Sequence, residues 1–228
     1  MFMETFLYYF FIFILYSFLG WCIEMICCYS YTKKLVNRGF LIGPYCPIYG
    51  TAALLMILLL SRYEDDLFVL FIMAAFISSV LEYITSYLME KLFKARWWDY
   101  SSKTFNVNGR VCLLNSILFG ILGILLVAFV HPFIRTLISQ IPTNYFNIIT
   151  TFLFTIFLVD FITSFKITIN LKHSLQSLKK DSTDEISKKV REKISESSKL
   201  VHRVLEAFPN LKPLLSKKKK RRFFFFFK

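Results

Sequence analysis

Five apolar runs, each followed by a polar or charged loop, constrain this chain more than any other feature of its sequence. They cover about residues 6–29, 44–60, 67–92, 111–130 and 146–169. A bilayer crossing takes roughly 20 apolar residues, so each run except the second is long enough without help. The second reaches a spanning length only if its helix begins near Pro44. The remainder of the composition fits the same solvent. The chain carries 27 phenylalanines and is 56% hydrophobic, more than one soluble core hides without exposing large apolar patches. The first run is too long for a secretory signal, and it lacks the basic start and small-residue cleavage site of one. The fold expected is an all-α membrane protein of five transmembrane helices.

Lysine and arginine set the expected orientation, because they favour the cytoplasmic side. The first five residues carry neither. Lys33, Lys34 and Arg38 follow the first run, whereas only Arg62 follows the second, beside Glu64, Asp65 and Asp66. Lys91, Lys94, Arg96, Lys103 and Arg110 follow the third, and only Arg135 follows the fourth. The alternation places the N-terminus outside and the C-terminus in the cytoplasm of a plasma membrane protein. Two regions result: a transmembrane domain over 1–170 and a cytoplasmic tail over 171–228.

The tail holds 17 basic and 6 acidic residues, a net +11 of the chain's +13. Basicity confined to a juxtamembrane tail suits the anionic inner leaflet, at roughly 1 kcal/mol per cation near the surface, so membrane lipids rather than nucleic acid are the expected partner. A capping-box pattern at Ser182–Glu185 opens a segment in which Ile186, Val190, Ile194, Val201, Leu205 and Phe208 form an apolar stripe. That stripe has three readings: it lies on the leaflet, docks on the cytoplasmic loops, or pairs with another subunit. The end, "KKKKRRFFFFFK", reads either as a lipid-binding composition or as the product of A-rich and T-rich codon runs.

An internal register runs through the first four spans. With Glu24 laid on Glu82, Tyr29 falls on Tyr87, Lys33 on Lys91 and Arg38 on Arg96 without a gap. After an insertion, Gly43–Cys46 falls on Gly109–Cys112. Six matches in apolar sequence read either as a coincidence or as two helical hairpins running parallel through the membrane. In the second reading Glu24 and Glu82 lie about seven residues, or roughly 10 Å, inside the cytoplasmic ends of their spans. Carboxylates at that depth face a bundle interior or a wet cavity. Two such acids on neighbouring helices suit a shared proton, a cation or a substrate amine.

Around them stand further polar positions. Glu82, Ser86 and Glu90 form an i, i+4, i+8 ladder on one helix face, and Glu90 lies close enough to the interface either to snorkel or to pair with Lys94. Trp21, Glu24 and Cys28 make a similar stripe. Asp160 is isolated in the fifth run and either completes the cavity or bonds a neighbouring helix. In the third-to-fourth loop, Trp97 and Trp98 suit the headgroup level. Asp99, Asn106, Asn108, Arg110 and Asn115 read equally as phosphate or magnesium ligands and as turn chemistry. The first loop, "NRGFLIGPYCPIYG" (37–50), holds Asn37, Arg38, Gly43, Pro44 and Tyr49. It is expected to dip into the bundle as a broken helix start, since irregular backbone at membrane depth survives only where protein or a wet cavity covers it.

The blocks "GWCIE" (20–24), "NRGFLIGPYCPIYG" (37–50), "LEYITSYLMEKLF" (81–93), "RWWDYS" (96–101) and "FNVNGRVCLLNSILFG" (105–120) resemble the bacterial family described as putative ABC-transporter type IV permeases. The likeness spans about residues 15–135 and more loosely "LEAFPNLK" in the tail. The matched positions include Trp21, Glu24, Asn37, Arg38, Gly43, Pro44, Tyr49, Glu82, Glu90, Trp97, Trp98, Asp99, Tyr100, Asn106 and Arg110. The resemblance implies a permease-like subunit. The sequence itself has no Walker A loop, HExxH or GxSxG, so any ATP hydrolysis falls to a separate subunit. Partnership with that subunit or with a second copy is expected, and no cofactor is. An intramembrane enzyme acting on lipid or isoprenoid headgroups, and a scaffold or sensor, stand as alternatives. In the enzyme, Asp99, Asn106 and a glutamate would hold a metal or serve as acid and base, and Arg110 would hold a phosphate.

Overall fold

Helix α1 spans Phe2–Thr32, α2 Pro47–Leu60, α3 Leu67–Phe93, α4 Leu113–Ile124, α5 His131–Ser139 and α6 Thr143–Ser177. The computed structural model describes residues 2–33, 37, 39–93, 95–177 and 212–213. Arg38, Lys94 and the tail segment expected to be helical from Ser182 lie outside the described residues. The fold is helical, with four helices among the described residues long and apolar enough to cross a membrane: Met3–Ser30, Leu67–Phe93, Leu113–Ser139 and Thr143–Ile169. Their outward side chains are apolar, including Phe68, Phe76, Ile148, Phe152 and Val159, as a lipid-facing surface requires. The protein is a multi-pass membrane protein.

Two boundaries differ from those expected. Helix α2 begins at Pro47 rather than near Pro44, because Pro47 holds the preceding Cys46 in an extended conformation (φ −116°, ψ 99°). Its 14 residues span about 21 Å, and a 3-10 turn at Ser61–Tyr63 lengthens the apolar piece. The fourth span runs to Ser139, not Val130. A π-helical stretch over Leu125–Val130 joins α4 to α5. Pro132 cannot donate to the carbonyl of Ala128, and the widened turn absorbs that missing bond. Arg135 therefore lies inside α5, not in a loop. Helix α6 continues to Ser177, past the apolar run, as the amphipathic sequence there suggests.

Helices α1 and α2 form one hairpin and α3 and α4 another, with α2 also packed on α3 and α6 lying along α1. Small residues make both hairpins tight. A Cβ on Gly20 would sit 2.3 Å from the Cβ of Tyr49, and one on Gly123 would sit 2.2 Å from that of Ala74. Ile12, Tyr16, Ala53 and Ile57 form one buried cluster, while Met56, Leu60, Leu70, Ala74 and Val127 form another. Between α1 and α6 the contact is aromatic: Phe10 meets Phe154 edge-on at 5.0 Å, and Phe13 meets Phe157 at 5.5 Å. Each such pair adds about 0.5–1.5 kcal/mol beyond its area. At the C-terminal end of α3, strand β1 (Ala95–Arg96) pairs antiparallel with β4 (Lys212–Pro213). Strands β2 (Asn106–Val107) and β3 (Val111–Cys112) form a small hairpin before α4.

Candidate functional site

The two glutamates of the internal register come together at one end of the bundle. Glu24, half-buried on α1, accepts a hydrogen bond from the Tyr49 hydroxyl at 2.6 Å. Gly20, one turn before Glu24, leaves room for the tyrosine ring that makes the reach possible. Glu82 on α3 is 6% exposed and accepts from the Tyr100 hydroxyl at 3.1 Å. Asn115 also hydrogen-bonds Glu82 and Tyr100, yet Glu82 Oε2 is buried without a partner of good geometry among the described residues. The two halves touch electrostatically, Glu82 with Glu24 and Tyr49 with Tyr100. The Tyr100 hydroxyl, outside the span, is pushed above the ordinary phenol range by burial first and the Glu82 carboxylate second. It stays protonated and donates. The cluster is two carboxylates, two hydroxyl donors and one amide.

Residues paired by the register occupy similar local positions. Cys46 and Cys112 both sit in extended backbone immediately before a helix. Three residues on, Tyr49 and Asn115 each reach the glutamate of their own hairpin. Tyr29 and Tyr87 are both exposed on their helices.

The 39–46 segment does enter the protein as irregular backbone. Leu41 is 0% exposed, and Tyr45 and Cys46 are buried. Asp160 holds it there. Oδ1 of Asp160 accepts from the Ile42 amide at 3.0 Å, and Oδ2 accepts from the Gly43 amide at 2.7 Å and the Tyr45 hydroxyl at 2.6 Å. Ser164, one turn on, donates to Oδ1 and accepts from the Ile42 amide as well. The Ile42 and Gly43 amides are thus taken by α6. Burial and then the Asp160 bond push the Tyr45 hydroxyl above its usual range. Asn37 orders the entry: its Oδ1 accepts from the Trp21 indole at 2.9 Å and the Gly39 amide at 3.0 Å, and its Nδ2 donates to the Ile42 carbonyl. Pro44 is exposed, and Arg38 lies outside the described residues.

The ladder on α3 is real, and Arg110 partners it; Lys94 lies outside the described residues. Arg110 is 8% exposed. Its guanidinium pairs with Glu90 at 2.9 Å and donates to the Ser86 hydroxyl at 3.2 Å. The faces of Tyr83 and Tyr87 cover it, each centroid 5.6 Å away. The Trp98 indole donates to its carbonyl. The residues offered as phosphate or magnesium ligands are spread through turn geometry. Asp99 is exposed and accepts from the Ser101 amide and hydroxyl. Asn106 accepts from the Gly109 amide and donates to the Lys103 carbonyl. Asn108 and Gly109 take left-handed φ of 53° and 68°, and Asn108 donates to the Tyr83 hydroxyl. Trp97 is not at a headgroup surface: it is buried against Phe40 and Phe93. Among the described residues no three His, Cys, Asp or Glu side chains stand close enough to hold a metal ion.

Sequence reasoning does not single out Tyr100, Tyr45 or Ser164 as site residues. The resemblance carries Tyr100 as a motif position, but only the folded loop brings it to Glu82. No local signal pairs Asp160 with amides 117 and 118 residues away.

The profile of the family described as Putative ABC-transporter type IV matches residues 11–165. No curated protein and no solved structure matches the chain. The chain belongs to the Putative ABC-transporter type IV family, and with its apolar helices it is a membrane transporter component.

Proposed function

We propose that this family member is the permease subunit of a plasma membrane transporter, and that Glu24, Tyr49, Glu82, Tyr100 and Asn115 line its substrate path near the cytoplasmic face. The observation that carries this reading is the meeting of two glutamates from separate hairpins, one of them with a buried, unpartnered oxygen. A carboxylate held so deep is costly unless something uses it. The wall offers acceptors and hydroxyls, and the buried cation nearest the ladder, Arg110, is already paired. Such a wall suits a proton, a small cation or a protonated amine.

In this reading α2, with its 3-10 turn, is a fifth, short crossing, so the N-terminus is outside and the C-terminus inside. The pairing of Lys212–Pro213 with Ala95–Arg96 supports placing the basic 171–228 tail at the same end as the acid pair, against the anionic leaflet. An ATP-hydrolysing subunit supplies the energy, since the sequence has no phosphate loop. The headgroup-enzyme reading is weaker, because Asp99, Asn106 and Arg110 are each engaged in local structure.

The test compares small molecules inside and outside cells that make the wild type or Glu82→Gln at equal membrane levels. The amide keeps the Tyr100 hydrogen bond but removes the charge. A cationic species whose distribution depends on the wild type and is lost in the variant is expected. Identical distributions in both would contradict a path through this site.

A further inference from the structure

At the opposite end of the bundle, a cleft of about 700 Å³ lies between α1, the end of α2, α5 and the start of α6. Its polar wall includes Glu4, Tyr8, Ser61, His131, Arg135 and Asn147. Some twenty residues of α1, roughly 30 Å, separate Glu4 from Glu24. The packed side chains of Ile12, Tyr16, Ala53 and Ile57 stand between the two ends. The cleft is therefore a separate place in the molecule.

Its chemistry differs from that of the acid pair. Arg135 makes no ion pair with a carboxylate among the described residues and lies in electrostatic range of Tyr8 and His131. His131 is buried, and its Nδ1 meets the Tyr16 hydroxyl at 3.2 Å. That leaves Nε2 as the ring's remaining polar atom. Hydroxyl and amide donors stand around them, while Ile57, Ile138 and Phe146 supply apolar wall. The π-helical stretch ends at the residue before His131. One extra residue in a turn rotates the remainder of the helix by about 100°, so this irregularity sets the face on which both His131 and Arg135 lie. π-Helical turns of this kind recur at functional sites.

We infer that this cleft is a binding site for a phosphate-bearing anion, with Arg135 as its charged contact and the apolar wall favouring one attached to an acyl chain. Arginine suits phosphate because its planar fork donates two parallel hydrogen bonds. A cleft at the membrane-surface end of a bundle meets such groups in lipid headgroups and also as free anions.

The experiment uses the full-length protein, stripped of lipid in detergent and titrated with phosphatidylglycerol or phosphatidylcholine under native mass spectrometry. One or two molecules of phosphatidylglycerol should bind in preference to phosphatidylcholine. Arg135→Gln should weaken that binding roughly tenfold, the loss of one charge-assisted contact, and Arg135→Lys should restore part of it. Asn147→Leu, which narrows the cleft without touching charge, should weaken it as well and serves if the arginine variant folds poorly. Glu82→Gln at the other end should leave it unchanged, which separates this site from the proposed path. Competition by millimolar inorganic phosphate would assign the site to the free anion, and its failure to compete would assign it to lipid. Either sustains an anion site. Equal phosphatidylglycerol affinity in the wild type, Arg135→Gln and Asn147→Leu would overturn it.

Discussion

The two hairpins carry the same landmarks and hold them by different means. Each has a glutamate two to three turns from its helix end, a loop, a GxxC stretch and a helix that starts just after the cysteine. In the first hairpin, the loop hangs from Asp160 on α6, a helix outside the hairpin. In the second, the loop is closed by its own residues, Arg110 onto Glu90 and Ser86. The glutamates are likewise reached by different groups, a tyrosine in one half and an asparagine with a loop tyrosine in the other. The shared skeleton places the acids. The divergent anchors tie the first loop to α6 and the second chiefly to the helix of its own hairpin.

The largest expected effect comes from cutting the first anchor. Asp160→Ala strands the Gly43 amide and a buried hydroxyl and leaves the Ile42 amide only Ser164, which should cost about 3 kcal/mol or more at roughly 1–3 kcal/mol per orphaned group. A thermal melt in detergent reads it, and a neutral result would mean that the 39–46 loop does not depend on α6. Arg110→Ala should cost somewhat less, about 2–3 kcal/mol, because Glu90 retains some access to solvent. Proteolysis should then open the 95–112 loop while sparing 39–46. If both loops opened together, the contrast between the two anchors would fail. A smaller effect is chemical. Burial first, and Glu24 second, push the Cys46 thiol up to about 12. A raised pKa means the protonated, unreactive form persists at neutral pH. Cys46 should therefore label with maleimide far more slowly at pH 7.5 than a solvent-exposed cysteine, whereas fast labelling would place that loop end in water.

Much of this arrangement is legible in the sequence, and the missing parts have a physical pattern. Helical periodicity identifies the ladder at 82, 86 and 90, and the unbroken register ties Glu24 to Glu82, because both are properties of one helix. The depth of the first loop follows from its glycines and prolines beside apolar runs. What periodicity cannot carry is which distant group satisfies a loop. Arg110 pairs with Glu90 because the loop after α3 folds back on that helix. Asp160 looks isolated in the sequence because its partners are backbone amides, which nearly every residue has. The π-helical stretch is equally hidden, for Pro132 lies in a run that otherwise reads as an ordinary span end.

The central claim is that the acids of the two hairpins form one site. A double-mutant cycle with Glu24→Gln and Glu82→Gln, read as unfolding free energy in detergent, tests it without knowledge of the substrate. The account predicts a coupling of at least about 0.5 kcal/mol, as residues of one network show. Additivity within about 0.3 kcal/mol would mean that the two carboxylates are independent and that the hairpins share a pattern but not a site.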